Sequence, residues 1–253
     1  MKLKCLSCEA LTRMVYFCAA QSPHLVDVEL MRIGLHNEPI HLRALLQEKI
    51  DAVNSQDYDA IILAYGLCGQ ATQGLIARNL PLVLPRAHDC ITLFLGSRAR
   101  YQAQFTGNPG TYWYSLDYIE RKEASGTFVA LGAGVESTNI QSKYDEYVEK
   151  YGQDNADYLM EVMGAWQSHY NRAAYVDLGI GDGATLEAQT QSEAARRGWT
   201  YERIAGDSTL IRRLLNGEWD QDFLVLQPGE QIAMSYDEDV VTRRPVAPIH
   251  LEI

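Results

Sequence analysis

Apolar and polar positions along the N-terminal third change period every few residues, and the changes mark out strands and helices in turn. Residues 2–7 read as a strand, and residues 9–20 carry the spacing of an amphipathic helix. Residues 26–33 alternate apolar with polar side chains and predict a second strand. Asn37 is placed to cap a helix over residues 39–53, with Leu42, Leu45, Leu46 and Ile50 along one face. The apolar run 58–64 predicts a buried strand, followed by Gly66-Leu-Cys-Gly69, a short helix, and a strand at 80–84. Strands alternating with helices in this order specify a parallel sheet with helices on both faces.

The last third repeats the rhythm, with strands at 173–178, 200–204 and 223–226 and helices at 185–197 and 208–215. Residues 2–64 and 173–226 therefore share the order strand, helix, strand, helix, strand. This predicts an α/β fold with Rossmann-like parallel sheets, built as two related βαβαβ lobes. Between them, Asn108-Pro-Gly-Thr-Tyr-Trp-Tyr114 reads as a turn entering an aromatic strand or loop. Residues 124–138 are rich in Gly, Ser and Ala and read as a mobile loop, while 142–151 and 155–170 look helical. The expected organisation is an N-terminal α/β lobe at 1–104, a connecting aromatic and helical region at 105–171, and a C-terminal α/β lobe at 172–253.

Composition narrows the class of partner. With 253 residues, 47% hydrophobic and 22% charged, the chain has ordinary globular composition. Its formal net charge of -11 repels phosphate backbones and anionic lipid, so nucleic acid and acidic membrane surfaces are poor partners, and a small molecule is the expected ligand. No stretch approaches the roughly 20 apolar residues of a membrane helix. The N-terminus reaches Glu9 and Arg13 without the apolar run of a signal peptide. A cytoplasmic location is expected, where the five cysteines stay reduced. Their odd number also argues against a closed disulfide framework.

The candidate chemistry falls where strands hand over to helices. Cys8 follows the first strand, His36 the second, Cys68 the third, and His88 with Cys90 the fourth. In open parallel sheets the carboxyl ends of the strands carry ligands, because the loops there converge on a rigid frame. Three thiols and two imidazoles would then share one crevice. A soft cation would ionise such thiols, and zinc takes Cys and His in a tetrahedron with a fourth position free for substrate. A [4Fe–4S] cluster on three cysteines with one open iron fits the same residues. A single cysteine at a strand end more often packs than ligates, so the case rests on convergence. Asp89 and Glu9 adjoin the cysteines and can orient a histidine or move a proton. Arg86 precedes His88 and can hold an anionic group, with Tyr65, Tyr112 and Trp113 as candidate walls. Cys5 and Cys8 form a lone C-x-x-C whose first member sits inside a strand, and Cys18 lies on an apolar helix face.

A second candidate is Asp177-Leu-Gly-Ile-Gly-Asp-Gly183, which looks like the glycine-rich first motif of class I S-adenosylmethionine methyltransferases, with Asp207 in the place of a ribose-binding acid. Too few residues follow it for the usual seven-stranded domain, and a tight turn alone also asks for glycines.

Taken together, Cys8-Glu9, Gly34-Leu-His36, Tyr65-Gly-Leu-Cys-Gly69, Pro85-Arg-Ala-His-Asp-Cys90, Leu95-Gly-Ser-Arg98, Pro109-Gly-Thr-Tyr112 and Leu215-Asn-Gly-Glu-Trp219 resemble the family catalogued as domain of unknown function 1638. That resemblance covers most of the chain. It implies a protein of anaerobic bacteria or archaea, often encoded beside corrinoid-dependent methyltransferases. Cys8, Cys68, His88 and Cys90 match the family's cysteine-containing motifs, whereas Cys5 and Cys18 lie outside them. Cobalamin-to-thiol methyltransferases use zinc on a His-x-Cys pair and a distant Cys. His88-x-Cys90 with Cys68 is similar, but here the lone Cys precedes the pair and the long barrel is missing.

The expectation is a metal-binding protein, with zinc at Cys8, Cys68 and Cys90, acting on a small one-carbon or methylated substrate in corrinoid-linked methyl transfer. As an enzyme it would be a metal-dependent methyltransferase, or a lyase or hydrolase. His88, Asp89 and Glu9 would be its catalytic groups, and Arg86, Tyr65 and His36 would bind its cofactor or substrate. The alternatives are an iron–sulfur protein with an open-site cluster, and a non-catalytic accessory or carrier for a corrinoid protein or methyltransferase.

Overall fold

The computed structural model describes residues 1–121, 148–149, 152–153 and 170–246. The chain divides into two compact units, one of Met1–Tyr101 with Gly206–Ile253 and one of Gln102–Ala205.

The first unit is built on a five-stranded sheet. Strands β1 (Lys2–Cys8), β2 (Leu25–Met31), β3 (Ala60–Ala64) and β4 (Leu82–Pro85) are joined by β8 (Phe223–Leu226) in the order β2-β1-β3-β4-β8. The first three pairings are parallel and the last is antiparallel. Every residue of β3 and β4 is buried, as a strand inside a parallel sheet requires, so both read as continuous apolar runs. Helix α1 (Thr12–Gln21) follows a single 3-10 turn over Glu9–Leu11 and buries Met14, Val15 and Cys18. Helix α2 (Pro39–Asp51) buries Leu42, Leu46 and Ile50, one side of the predicted stripe. Pro39 opens it, where a missing N–H costs nothing. Asn37 ends a 3-10 helix over Ile33–Asn37, and the residue that flanks α2 is Glu38, which makes no side-chain cap bond. Residues 69–74 form turns in place of the short helix expected there.

Beyond Pro85 come α3 (Cys90–Leu95) and α4 (Arg98–Gly107). The second unit holds a parallel sheet of β5 (Thr111–Ser115), β6 (Arg172–Asp177) and β7 (Thr200–Ala205), in the order β5-β6-β7. Its helices include α5 (Leu116–Glu120) and α6 (Ala184–Arg197). Tyr112, Tyr114, Tyr175 and Leu186 lie in its core. Helix α7 (Thr209–Leu215) then leads into β8, and β9 (Glu230–Met234) pairs with β10 (Val241–Pro245) as an antiparallel hairpin.

The α/β class and parallel sheets agree with the sequence reading, and the strands between residues 172 and 226 are shared between two sheets. Strands β6 and β7 extend the sheet begun by β5, whereas β8 runs antiparallel on β4, with Pro85 opposite Phe223 and Leu82 opposite Leu226. The aromatic strand at 111–115 is therefore part of a sheet and not only a connection. The loop expected at 124–138 lies outside the described residues, as do the helices at 142–151 and 155–170 apart from residues 148–149 and 170. Among the described residues no helix is long and apolar enough to cross a membrane.

Gly96 ends α3 in the left-handed region, at φ 74, and a Cβ there would lie 2.6 Å from the Asp207 side chain and 2.7 Å from its carbonyl oxygen. Gly96→Ala therefore combines a left-handed penalty of about 1 kcal/mol with overpacking of about 1–3 kcal/mol. Urea unfolding should show a lower midpoint at an unchanged slope. An unchanged midpoint would contradict this packing.

Candidate thiol and imidazole site

Parallel pairing decides where the chemistry-bearing residues lie. Ser7 stands opposite Ala64 across β1 and β3, and Cys8 opposite Met31 across β1 and β2. The chain after each of these strands therefore emerges at one edge of the sheet. Cys8 ends β1, His36 follows β2, Tyr65 and Cys68 follow β3, and His88 and Cys90 follow β4. The loops after β3 and β4 run side by side, since Leu67 N donates to Ala87 O at 2.8 Å and Cys68 N to His88 O at 2.9 Å. Gly66 makes this approach possible. A Cβ on it would sit 2.8 Å from Asp89 N and 2.9 Å from Ala87 O.

The most direct contact is between Cys8 and His36, with Sγ and Nε2 at 3.1 Å. Cys8 Sγ also accepts from Ala10 N at 3.4 Å as the residue before the 3-10 turn. Burial lowers the His36 pKa from its ordinary 6.5, which favours a neutral ring. None of the five cysteines is in a disulfide, and Cys90 alone among them is only partly buried. Burial pushes the Cys68 thiol up, with negative charge on Cys8 and Asp89 adding to it. Burial likewise raises Cys90 well above its usual range, with Asp89, Cys68 and Cys8 contributing. Cys68 adopts φ 48, a left-handed backbone in a non-glycine residue. Tyr65 is 1% exposed, and its hydroxyl has no hydrogen-bond partner among the described residues.

The other predicted residues have structural engagements. Glu9 Oε2 accepts from Ile33 N at 3.1 Å and so ties β1 to the segment after β2. Asp89 caps α3 by accepting from Ile91 N at 3.0 Å and Thr92 N at 3.2 Å. Arg86 donates to Val241 O and to Asp239 O and pairs with the Asp239 carboxylate at 3.4 Å, so its charge is spent on the β9–β10 hairpin. His88 is exposed and stacks on Tyr101, with ring centroids 5.6 Å apart. Tyr101 also donates to Asp89 at 3.5 Å, a link that helix spacing does not reveal, because it does not show which loop a helical side chain lies beside. Cys5 is wholly buried and pushed to about 12 by burial, and Cys18 is buried on α1.

The glycine-rich loop has a packing explanation. A Cβ on Gly183 would lie 2.0 Å from the Tyr175 hydroxyl, and Asp177 is held by Gly179 N and Arg203. Asp207 accepts from Thr209 N at 2.8 Å at the start of α7 and belongs to the other unit.

As the side chains stand, no three His, Cys, Asp or Glu among the described residues are grouped so as to hold a metal ion. The donor types suit a soft cation, but the thiols do not enclose one.

The profile of the family described as "Protein of unknown function (DUF1638)" matches residues 30–215. The chain belongs to this family. The matched span takes in His36, Tyr65, Cys68, Arg86, His88, Asp89 and Cys90, while Cys8 and Glu9 precede it. No curated protein and no solved structure matches the chain.

In metal-free protein, the unfolded chain binds the His36 proton more tightly than the folded one does. That contribution to stability is present in full above about pH 6.5 and falls as pH drops below it. His36→Gln should flatten the fall in urea midpoint between about pH 7.5 and 5, measured with chelator present. A slope equal to that of the wild type would show that His36 is not the group responsible.

Proposed function

We propose that this DUF1638 protein binds a soft metal ion, zinc by its donor chemistry, through Cys8, Cys68 and Cys90, with His36 beside Cys8. The observation that carries the reading is the position of the three thiols, which follow three adjacent parallel strands at one edge of the sheet. Because burial keeps Cys68 and Cys90 protonated in the free protein, uptake must release protons and turn the thiolates toward the ion. A bound zinc ion would hold thiolates ionised near neutral pH and act as a Lewis acid at its fourth position. The substrate class proposed with it is a small one-carbon or methylated compound in corrinoid-linked methyl transfer, as the family resemblance implies. An iron–sulfur cluster on the same cysteines would give brown protein with visible absorbance.

The 3.1 Å contact of Cys8 with His36 favours a second reading, in which the imidazole takes the thiol proton and Cys8 acts as a nucleophile without metal.

Elemental analysis of anoxically purified protein should find about one zinc ion per chain. Cys68→Ser and Cys90→Ser should lose most of it, and Cys18→Ser should retain it. Metal-free wild type, or equal loss in Cys18→Ser, would refute the metal reading and leave the nucleophile.

A further inference from the structure

Strand β2 forms one edge of the five-stranded sheet. Leu25 N donates to Met1 O at 3.1 Å, so residues 25, 27, 29 and 31 turn their backbone N–H and C=O groups to β1. Val26, Val28 and Leu30 turn theirs outward, and among the described residues nothing bonds to them there. Proteins blunt such an edge with lysine, proline or a bulge. β2, Leu25-Val-Asp-Val-Glu-Leu-Met31, contains neither residue, and its register with β1 runs unbroken from Lys2 opposite Leu25 to Cys8 opposite Met31. Other sheet edges are treated differently. β7 carries exposed Glu202 and Arg203, and on β8 Arg243 donates to Val225 O at 3.4 Å. The surroundings of β2 are apolar as well: Leu25 is 69% exposed, and Tyr16 and Phe17 are half-exposed on α1, which packs against β2.

Charge and register select the occupant. Glu29 pairs with Lys4 and Lys49, each at 2.8 Å, and Asp27 accepts from the Tyr58 hydroxyl at 2.8 Å. Two carboxylates are thus matched by two ammonium groups in a chain of net charge -11, so two copies can approach at this edge without strong repulsion. The strand also fits itself. With a two-fold axis at Val28, antiparallel pairing sets Val28 against the partner's Val28 and Val26 against the partner's Leu30. These are the residues whose backbone groups face outward, and each facing pair can exchange both hydrogen bonds. Asp27 then stands opposite the partner's Glu29, an acid already held by two lysines. We propose that β2 is a homodimer interface, through which two copies join edge to edge into one continuous sheet. The proposal is independent of the metal reading.

Sedimentation velocity on the full chain, with a thermal melt of each variant, tests it. The wild type should sediment as a dimer, at twice 28.4 kDa, in the micromolar range. Val28→Pro removes an outward N–H while sparing the bonds to β1, and Val28→Lys sets two ammonium groups at the axis. Each should weaken the dimer by about 10–100-fold and still melt cooperatively. Thr200→Lys, on the exposed edge of β7, should leave the dimer unchanged. If Val28→Pro does not melt cooperatively, Val28→Lys decides. A dimer that persists in Val28→Lys, or is lost equally in Thr200→Lys, would overturn β2 as the interface. A monomeric wild type would overturn the proposal outright and leave the edge to a different partner.

Discussion

The parallel alignment of β1 with its neighbours β2 and β3, and of β3 with β4, is the constraint on which the site depends. Parallel strands must leave the sheet in the same direction, so whatever follows each of them arrives at a common edge. With β1 between β2 and β3, and β4 next to β3, Cys8, His36, Tyr65, Cys68 and Cys90 are carried to that edge from stretches of chain far apart in sequence. Two local features tighten the arrangement. Glu9 reaches across to the backbone after β2, and Gly66 lets the loops after β3 and β4 lie against each other.

The electrostatics of this edge are unusual for what they omit. Arg86, two residues before His88, is turned to the β9–β10 hairpin, and the Asp89 carboxylate adds to the upward push on Cys68 and Cys90. Thiols in such surroundings stay neutral unless positive charge is supplied from outside. The metal ion proposed above would supply it.

Much of the fold was legible because each strand advertises itself by period and burial. β8 occupies Phe223–Leu226, the predicted strand, and β1 exceeds its predicted span by Cys8. What periodicity cannot express is direction and partner. The apolar run of β8 is equally consistent with a parallel strand in a C-terminal lobe and with the antiparallel edge it forms on β4. At the site, the convergence of strand ends followed from alternating order, and so did the placement of the thiols. The engagement of Arg86 by Asp239 and Val241 depended on a hairpin some 150 residues away in sequence, which no local pattern reveals. Tyr101 escaped notice for the same reason. Gly183 drew attention as a cofactor loop because a glycine needed for packing against Tyr175 has the same signature as one needed for close approach to a ligand.

Zinc K-edge absorption fine structure on the loaded full-length protein tests the central claim most directly. Three thiolates drawn from three strand ends predict a sulfur shell at about 2.3 Å that fits three sulfurs per zinc. A first shell of nitrogen and oxygen alone, at about 2.0–2.2 Å, would contradict it and place the ion elsewhere.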